Sequence, residues 1–180
     1  MKYSTSNTRQ CVRKNNLTLT LATEKDIETL RLLAYEIWDK TYTKIISFEQ
    51  IEYMLEMMYN YDRIKNEIVN NYEWYLARAD NEPIGFVSIE ILNEGLAKLH
   101  KFYIKTEFQH MGIGEWVFKN LKTPLINKNI QSLTLNVNRF NLNAINAYLK
   151  YGFKIQKSID IPYGRFILND YVMIFSLVET

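Results

Sequence analysis

Cysteine occurs once in the 180-residue chain, at Cys11, which rules out an internal disulfide and any Cys-rich metal site. That usage fits a reducing compartment, and the expectation is a cytoplasmic protein. Histidine is almost as scarce: only His100 and His110 are present, with no second His or Cys near either, so no metal site is expected. The formal net charge is only +2 and the lysines are scattered, so nucleic acid is not an expected partner. No apolar run approaches the ~18 residues of a membrane-spanning helix, and no membrane association is expected. Residues 1–16 lack the apolar centre of a signal peptide and are expected to form a loosely ordered lead-in. Two phosphate-binding motifs are missing as well. There is no G-x-x-x-x-G-K-[ST], and the third glycine of a G-x-G-x-x-G fingerprint is absent.

What is present is a globular composition, 47% hydrophobic and 14% aromatic with 13 tyrosines, and residues 17–180 are expected to form one domain. Leu17 to Leu21 alternates apolar and polar, as a half-buried strand does. Thr23, with Asp26 three residues on, caps a helix whose Ile27, Leu30, Leu33, Ala34, Ile37 and Trp38 share one face. Ser47 and Gln50 have capping-box spacing ahead of a helix from Phe48 to about Tyr59, and a further helix spans Asp62 to Asn70. Strands are expected at Glu73–Arg78 and Ile84–Ile91, joined by a turn at Asp80-Asn81-Glu82-Pro83. A third runs from Leu96 to Ile104. A helix follows Gly114, and Pro124 within it should kink or interrupt it. A strand from Gln131 to Val137, a helix from Asn141 to Tyr151, and strands Lys154–Asp160 and Tyr171–Val178 complete the order. The pattern is that of an α+β domain with a mixed sheet.

The segment Phe102-Tyr103-Ile104-Lys105-Thr106-Glu107-Phe108-Gln109-His110-Met111-Gly112-Ile113-Gly114 carries chemistry. A strand, a loop with two glycines and a helix start form a phosphate-holding device. Glycine lets the backbone approach the ligand closely, and the first helical turn offers free N–H groups at a positive dipole end. A second segment follows downstream, from Val137 through Asn138, Asn141, Ala144, Tyr148 and Lys150 to Gly152-Phe153. Asn141 suits a helix start, and Gly152 suits the position just past a helix end.

Together, Q-x-x-G-x-G followed by V-N-x-x-N-x-x-A-x-x-x-Y-x-K-x-G-F resembles the GNAT superfamily of acyl-CoA-dependent N-acetyltransferases. The likeness spans about Leu17 to Val178 and is most specific between Leu99 and Phe153. It implies the GNAT fold, with a mixed, mostly antiparallel sheet of six or seven strands flanked by helices, and acetyl-CoA as co-substrate. It implies further that the backbone of Phe102, Tyr103 and Ile104 bonds the pantetheine arm. The loop Gln109, His110, Met111, Gly112, Ile113 and Gly114 would wrap the pyrophosphate with backbone amides. Asn141 matches the asparagine that contacts the CoA arm, and Tyr148 the tyrosine that protonates the departing sulfur. Glu115 departs from the family pattern, since a carboxylate beside a pyrophosphate repels it, and it is expected to point outward.

Only a free amine attacks a thioester, so the reaction needs a base. Many relatives carry a glutamate on the strand before the loop, and His100 stands at that position. With an unperturbed pKa of ~6.5, histidine accepts a proton near neutrality. Glu90, on the preceding strand, is the reserve. The first two helices form the acceptor wall in this family, and here they carry Glu36, Trp38, Asp39, Tyr42, Glu49 and Glu52. Aromatics such as Trp38 and Tyr42, with carboxylates such as Glu90, suit a cationic amine. The Trp38–Tyr42 region is also loosely similar to bacterial spermidine/spermine acetyltransferases. The expected activity is acetylation of a small primary amine by direct attack in a ternary complex, with no covalent enzyme intermediate, by a monomer or homodimer. The alternatives are a protein or peptide N-acetyltransferase, an aminoglycoside-like acceptor, and a non-catalytic acetyl-CoA-binding module.

Overall fold

The computed structural model describes residues 16–178, so the lead-in expected at residues 1–16 lies, apart from Asn16, outside the described residues. The elements follow in the order β1 (Leu17–Leu21), α1 (Ile27–Tyr42), α2 (Phe48–Tyr59), α3 (Tyr61–Val69), β2 (Tyr72–Ala79), β3 (Glu82–Asn93) and β4 (Leu96–Ile104). Then come α4 (Ile113–Asn127), β5 (Ser132–Asn138), α5 (Leu142–Tyr151), β6 (Lys154–Tyr163) and β7 (Phe166–Ser176).

Most boundaries follow from local chemistry. The Ser47 hydroxyl accepts from the Gln50 N–H at 3.2 Å at the start of α2. Asn60 does the same for Arg63 at 2.8 Å in α3. Thr23 donates its N–H to Asp26 at 2.9 Å, but the pair opens a short 3₁₀ turn, Glu24–Asp26, ahead of α1. Three expectations are corrected. The β2–β3 turn is Asp80-Asn81 alone, with φ of 50° and 69°, the left-handed pair a two-residue hairpin requires, so Glu82 and Pro83 already belong to β3. Helix α4 runs through Pro124 uninterrupted, because Leu121 and Leu125 on either side are buried in the core and hold the last turn down. And β7 begins at Phe166, well before Tyr171, since it pairs with β6 along a long hairpin closed at Tyr163–Phe166.

The seven strands form one sheet in the order β1-β2-β3-β4-β5-β7-β6. Only β4 and β5 are parallel; all other neighbours are antiparallel. One face is covered by α4 and α5 through Val117, Phe118, Leu121, Leu125 and Ile145. The other is covered by α1, α2 and α3 through Leu30, Ile37, Trp38, Leu55, Tyr59 and Ile64.

Two irregularities of β4 decide what the sheet can do. The register passes from Ser88↔Lys101 to Ile89↔Leu99, so His100 is an extra residue, a β-bulge. Strict alternation would put Leu99 and Phe102 on opposite faces; with the bulge, Ala97, Leu99, Phe102 and Ile104 all pack toward α4 and α5. Lys101 and Tyr103 face the other helices, where Lys101 is held by a buried pair. Its ammonium lies 3.2 Å from Glu67 and 4.6 Å from the Trp74 ring centroid. Glu67, 2% exposed, also accepts from Arg63 at 2.6 Å and from the Trp74 indole at 3.2 Å. The second irregularity is a separation. Strands β4 and β5 pair only from Leu96–Ser132 to Leu99–Leu135. Beyond that point β4 stays with β3 as far as Ile104, and β5 stays with β7 as far as Asn138. The sheet therefore opens between His100 and Ile104.

Candidate active site

The opening lets side chains from both faces of the sheet approach one another. From the α4/α5 face comes Tyr148, packed beside Phe153 at 5.5 Å and Phe102 at 6.4 Å between ring centroids. From the other face come Tyr42 of α1 and Tyr103 of β4, whose hydroxyls bond at 3.1 Å. The Tyr42 hydroxyl also bonds the Asn141 side chain, and Tyr42 and Tyr103 both act electrostatically with Tyr148. The Tyr148 hydroxyl itself has no hydrogen bond to another described residue. Burial raises its pKa well above the ordinary tyrosine value, with Tyr42 and Tyr151 adding to the effect, so it carries its proton at neutral pH.

At the start of the opening, His100 Nε2 lies 2.7 Å from Glu90 Oε2, both side chains about one quarter exposed. The Tyr72 ring sits 5.1 Å from the imidazole. Burial lowers the His100 pKa below its ordinary value, Lys101 and Lys98 lower it further, and Glu90 works the other way. Tyr72 is pushed up to about 12, by burial first and then by Glu90. Alternation from Leu99 places His100 on the sheet face of Glu90 and Tyr72.

The glycine loop has the geometry its sequence suggests. After β4 comes a 3₁₀ turn, Thr106–Phe108, and the Gln109 side chain ties the loop back to the Ile104 carbonyl at 2.9 Å. His110 and Gly112 are left-handed, with φ of 62° and 76°, and Gly112 caps α4. The first bond of the helix runs from Trp116 N–H to the Gly112 carbonyl, which leaves the N–H groups before it at the loop mouth. Met111 is exposed and Ile113 is buried as an anchor. Gly114 is required for a separate reason: a Cβ there would lie 2.6 Å from the Tyr151 hydroxyl. That ring is stacked on Phe118 at 5.2 Å and has little freedom to retreat. Gly114→Ala is therefore expected to lower stability by about 1–3 kcal/mol. Adding Tyr151→Phe should return most of it, because the next ring atom is 3.8 Å away. Urea unfolding of the single and double variants measures both effects.

The acetyltransferase (GNAT) family model matches residues 32–153. The chain belongs to the GNAT acetyltransferase family. A spermidine N(1)-acetyltransferase from Thermoplasma acidophilum is 33% identical over 137 residues, covering 73% of this chain and 84% of that protein. The crystal structure of the PaiA N-acetyltransferase from the same organism, in complex with coenzyme A, overlays with a TM-score of 0.79 at 29% identity. The overlay covers 89% of this chain and 98% of that one. A GCN5-related N-acetyltransferase from Rhodopseudomonas palustris, at 14% identity and a TM-score of 0.75 over 88% of this chain and 94% of that one, shares the fold.

The protein is thus a GNAT N-acetyltransferase, of a family whose enzymes use acetyl-CoA, and the expected GNAT fold is the one observed. Among the described residues no three His, Cys, Asp or Glu side chains gather as a metal site, and no helix is long and apolar enough to cross a membrane. Of the residues singled out in the sequence of this GNAT chain, His100 and Glu90 form one hydrogen-bonded pair, while Tyr148, Tyr42, Tyr103 and Asn141 form a second group. Asn141 also caps α5, accepting from Ala144 N–H at 3.1 Å. Trp38 is only 3% exposed and stands behind the half-buried Tyr42, ring centroids 4.4 Å apart. Glu115 lies beside Lys119 at 3.0 Å and Lys150 at 3.7 Å. Sequence reasoning missed Tyr72, Lys101 and Asp170. A second lysine in β4, directly after His100, and an aspartate between the apolar stretches of β7 were the available signals.

Proposed function

We propose that this protein acetylates a primary amine of a small polyamine-like cation by direct attack, with amine and acetyl-CoA bound together. The observation that carries this reading is the Glu90–His100 pair, set where β4 parts from β5. Acetyl-CoA supplies an acyl group already activated as a thioester. The chain offers it three matching features: the open edge of Phe102, Tyr103 and Ile104 for the pantetheine arm, the N–H groups of the Gln109–Gly114 loop, and the α4 dipole for the pyrophosphate.

A primary amine arrives mostly protonated and has to lose that proton to become a nucleophile. With its Nε2–H given to the Glu90 carboxylate, His100 keeps a lone pair on Nδ1 to receive it. Its lowered pKa leaves the ring neutral and ready at neutral pH. Glu90 fixes the ring and balances the charge that develops on it. Tyr148, held protonated by burial, gives its hydroxyl proton to the sulfur as the acyl bond to it breaks. Tyr42, backed by Trp38, supplies an aromatic wall for a cation. The T. acidophilum relative is a spermidine N(1)-acetyltransferase, which supports the same acceptor class.

The test is release of free CoA thiol from acetyl-CoA with spermidine, spermine, putrescine, lysine, N-terminal peptides and an aminoglycoside, each against buffer. Polyamine turnover well above the others is expected. Turnover confined to peptides or to the aminoglycoside would replace this acceptor. If every amine matched buffer while acetyl-CoA still raised the melting temperature, a binding module would be the better account.

A further inference from the structure

A carboxylate outside the proton-handling pair stands on β7, on the sheet face that Tyr42 covers. Strand β7 sends Tyr171, Met173 and Phe175 into the α4/α5 core and Leu168 toward the other helices, so alternation puts Asp170 on the face of Tyr42. Its partner in the register is Asn138, the last residue of β5, beyond the point where β4 and β5 separate. Asp170 is 8% exposed.

A carboxylate this deeply buried ordinarily has a cation in contact. Glu67 shows the usual arrangement, with Arg63 at 2.6 Å and Lys101 at 3.2 Å. Asp170 has no such contact. Its side chain bonds Asn136, and Lys98 and Arg139 act on it only through space. Among the described residues no cation lies within ion-pair distance of it, and Arg139 is bonded instead to Asp160. Asp170 also acts electrostatically on the Tyr42 hydroxyl, through space.

We propose that Asp170 is a recognition carboxylate for a second ammonium group of the acceptor, one that is not acetylated. An arriving cation would supply the countercharge the fold leaves out. The site then selects acceptors with two or more positive nitrogens. Asp170 lies two strands from His100, across β5 and further along it where β4 and β5 have parted, so the span exceeds the ~10 Å of two ordinary strand spacings. A chain of several methylenes between the nitrogens bridges that span. The inference rests on the small cationic acceptor proposed above and adds what distinguishes that acceptor from a monoamine.

The experiment compares 1,8-diaminooctane with n-octylamine, and spermidine beside them, in the wild-type enzyme and in Asp170→Asn, which retains the shape of the side chain. The wild type is expected to favour the diamine over the monoamine by at least about 10-fold in kcat/KM. In Asp170→Asn the KM for diamine and spermidine should rise about 30-fold or more, the size expected when one partner of a buried charge pair is removed. The kcat, the KM for acetyl-CoA and both octylamine constants should stay within about 3-fold, a spread worth less than 1 kcal/mol. Because the diamine-to-monoamine ratio is read in one sample, a loss of folded protein cancels. A wild-type ratio near one overturns the inference without any variant. Equal losses with diamine and monoamine overturn it in favour of a structural role. If the wild type turns over spermidine but Asp170→Asn leaves its KM unchanged, this inference fails alone. If the wild type turns over no polyamine, the acceptor proposal fails and takes this one with it.

Discussion

Tyr148→Phe is expected to lower kcat by about 10²- to 10³-fold, the usual contribution of a positioned general acid, while leaving acetyl-CoA affinity close to that of the wild type. The two effects separate because different parts of the chain produce them. In the proposed arrangement affinity would rest on the loop from Gln109 to Gly114 and on the open edge of β4, and the hydroxyl has no hydrogen bond to either. Stability should change by no more than about 0.5 kcal/mol, because the hydroxyl has no hydrogen bond to another described residue and the ring contacts with Phe102 and Phe153 remain. Acetyl-CoA titration by calorimetry, beside steady-state kinetics, reads both quantities. Retention of full kcat would remove Tyr148 from the chemistry. A parallel loss of binding would assign it a structural role.

The second large effect concerns the pair at the bulge. His100→Ala should reduce kcat/KM by about 100-fold or more near neutral pH, and the loss should shrink as pH rises and more of the amine is free in solution. The wild-type profile carries a signature of its own. A base works only when deprotonated, so activity should fall as pH drops through the His100 pKa, which lies below the ordinary histidine value. Glu90 opposes that lowering, so Glu90→Gln removes a raising influence and moves the acid limb of kcat/KM to still lower pH, with a smaller maximal rate from a weaker base. An acid limb that stays put in Glu90→Gln and disappears in neither variant would show that another group takes the proton.

Several features of this protein are legible in the sequence because they depend on near neighbours along the chain. The capping of α2 by Ser47, the burial of Ile27, Leu30, Leu33, Ala34, Ile37 and Trp38 along α1, and the left-handed Gly112 and Gly152 all follow from short-range sterics and hydrogen bonding. The two glycines of the loop are visible too, but for Gly114 the structure supplies the reason, a tyrosine from α5 packed against it. The Asp80-Asn81 turn is two residues shorter than its sequence suggests, because Pro83 resembles a turn residue and yet sits within β3. Pro124 looks like a break because local rules count a lost hydrogen bond and take no account of the buried leucines beside it.

From the sequence alone came the element types, the glycine loop, the family resemblance and the candidate tyrosine and histidine. These rest on periodicities and motifs contained in short stretches of chain. Only the tertiary structure decided that His100 bulges out of β4, that it meets Glu90, and that the sheet opens after Leu99 so that Tyr148 and Tyr42 approach from opposite faces. It alone also left Asp170 buried without a cation. The physical reason is common to all four. Each depends on which strand pairs with which, and in what register, and strand pairing joins residues far apart in the chain through backbone groups that every residue shares.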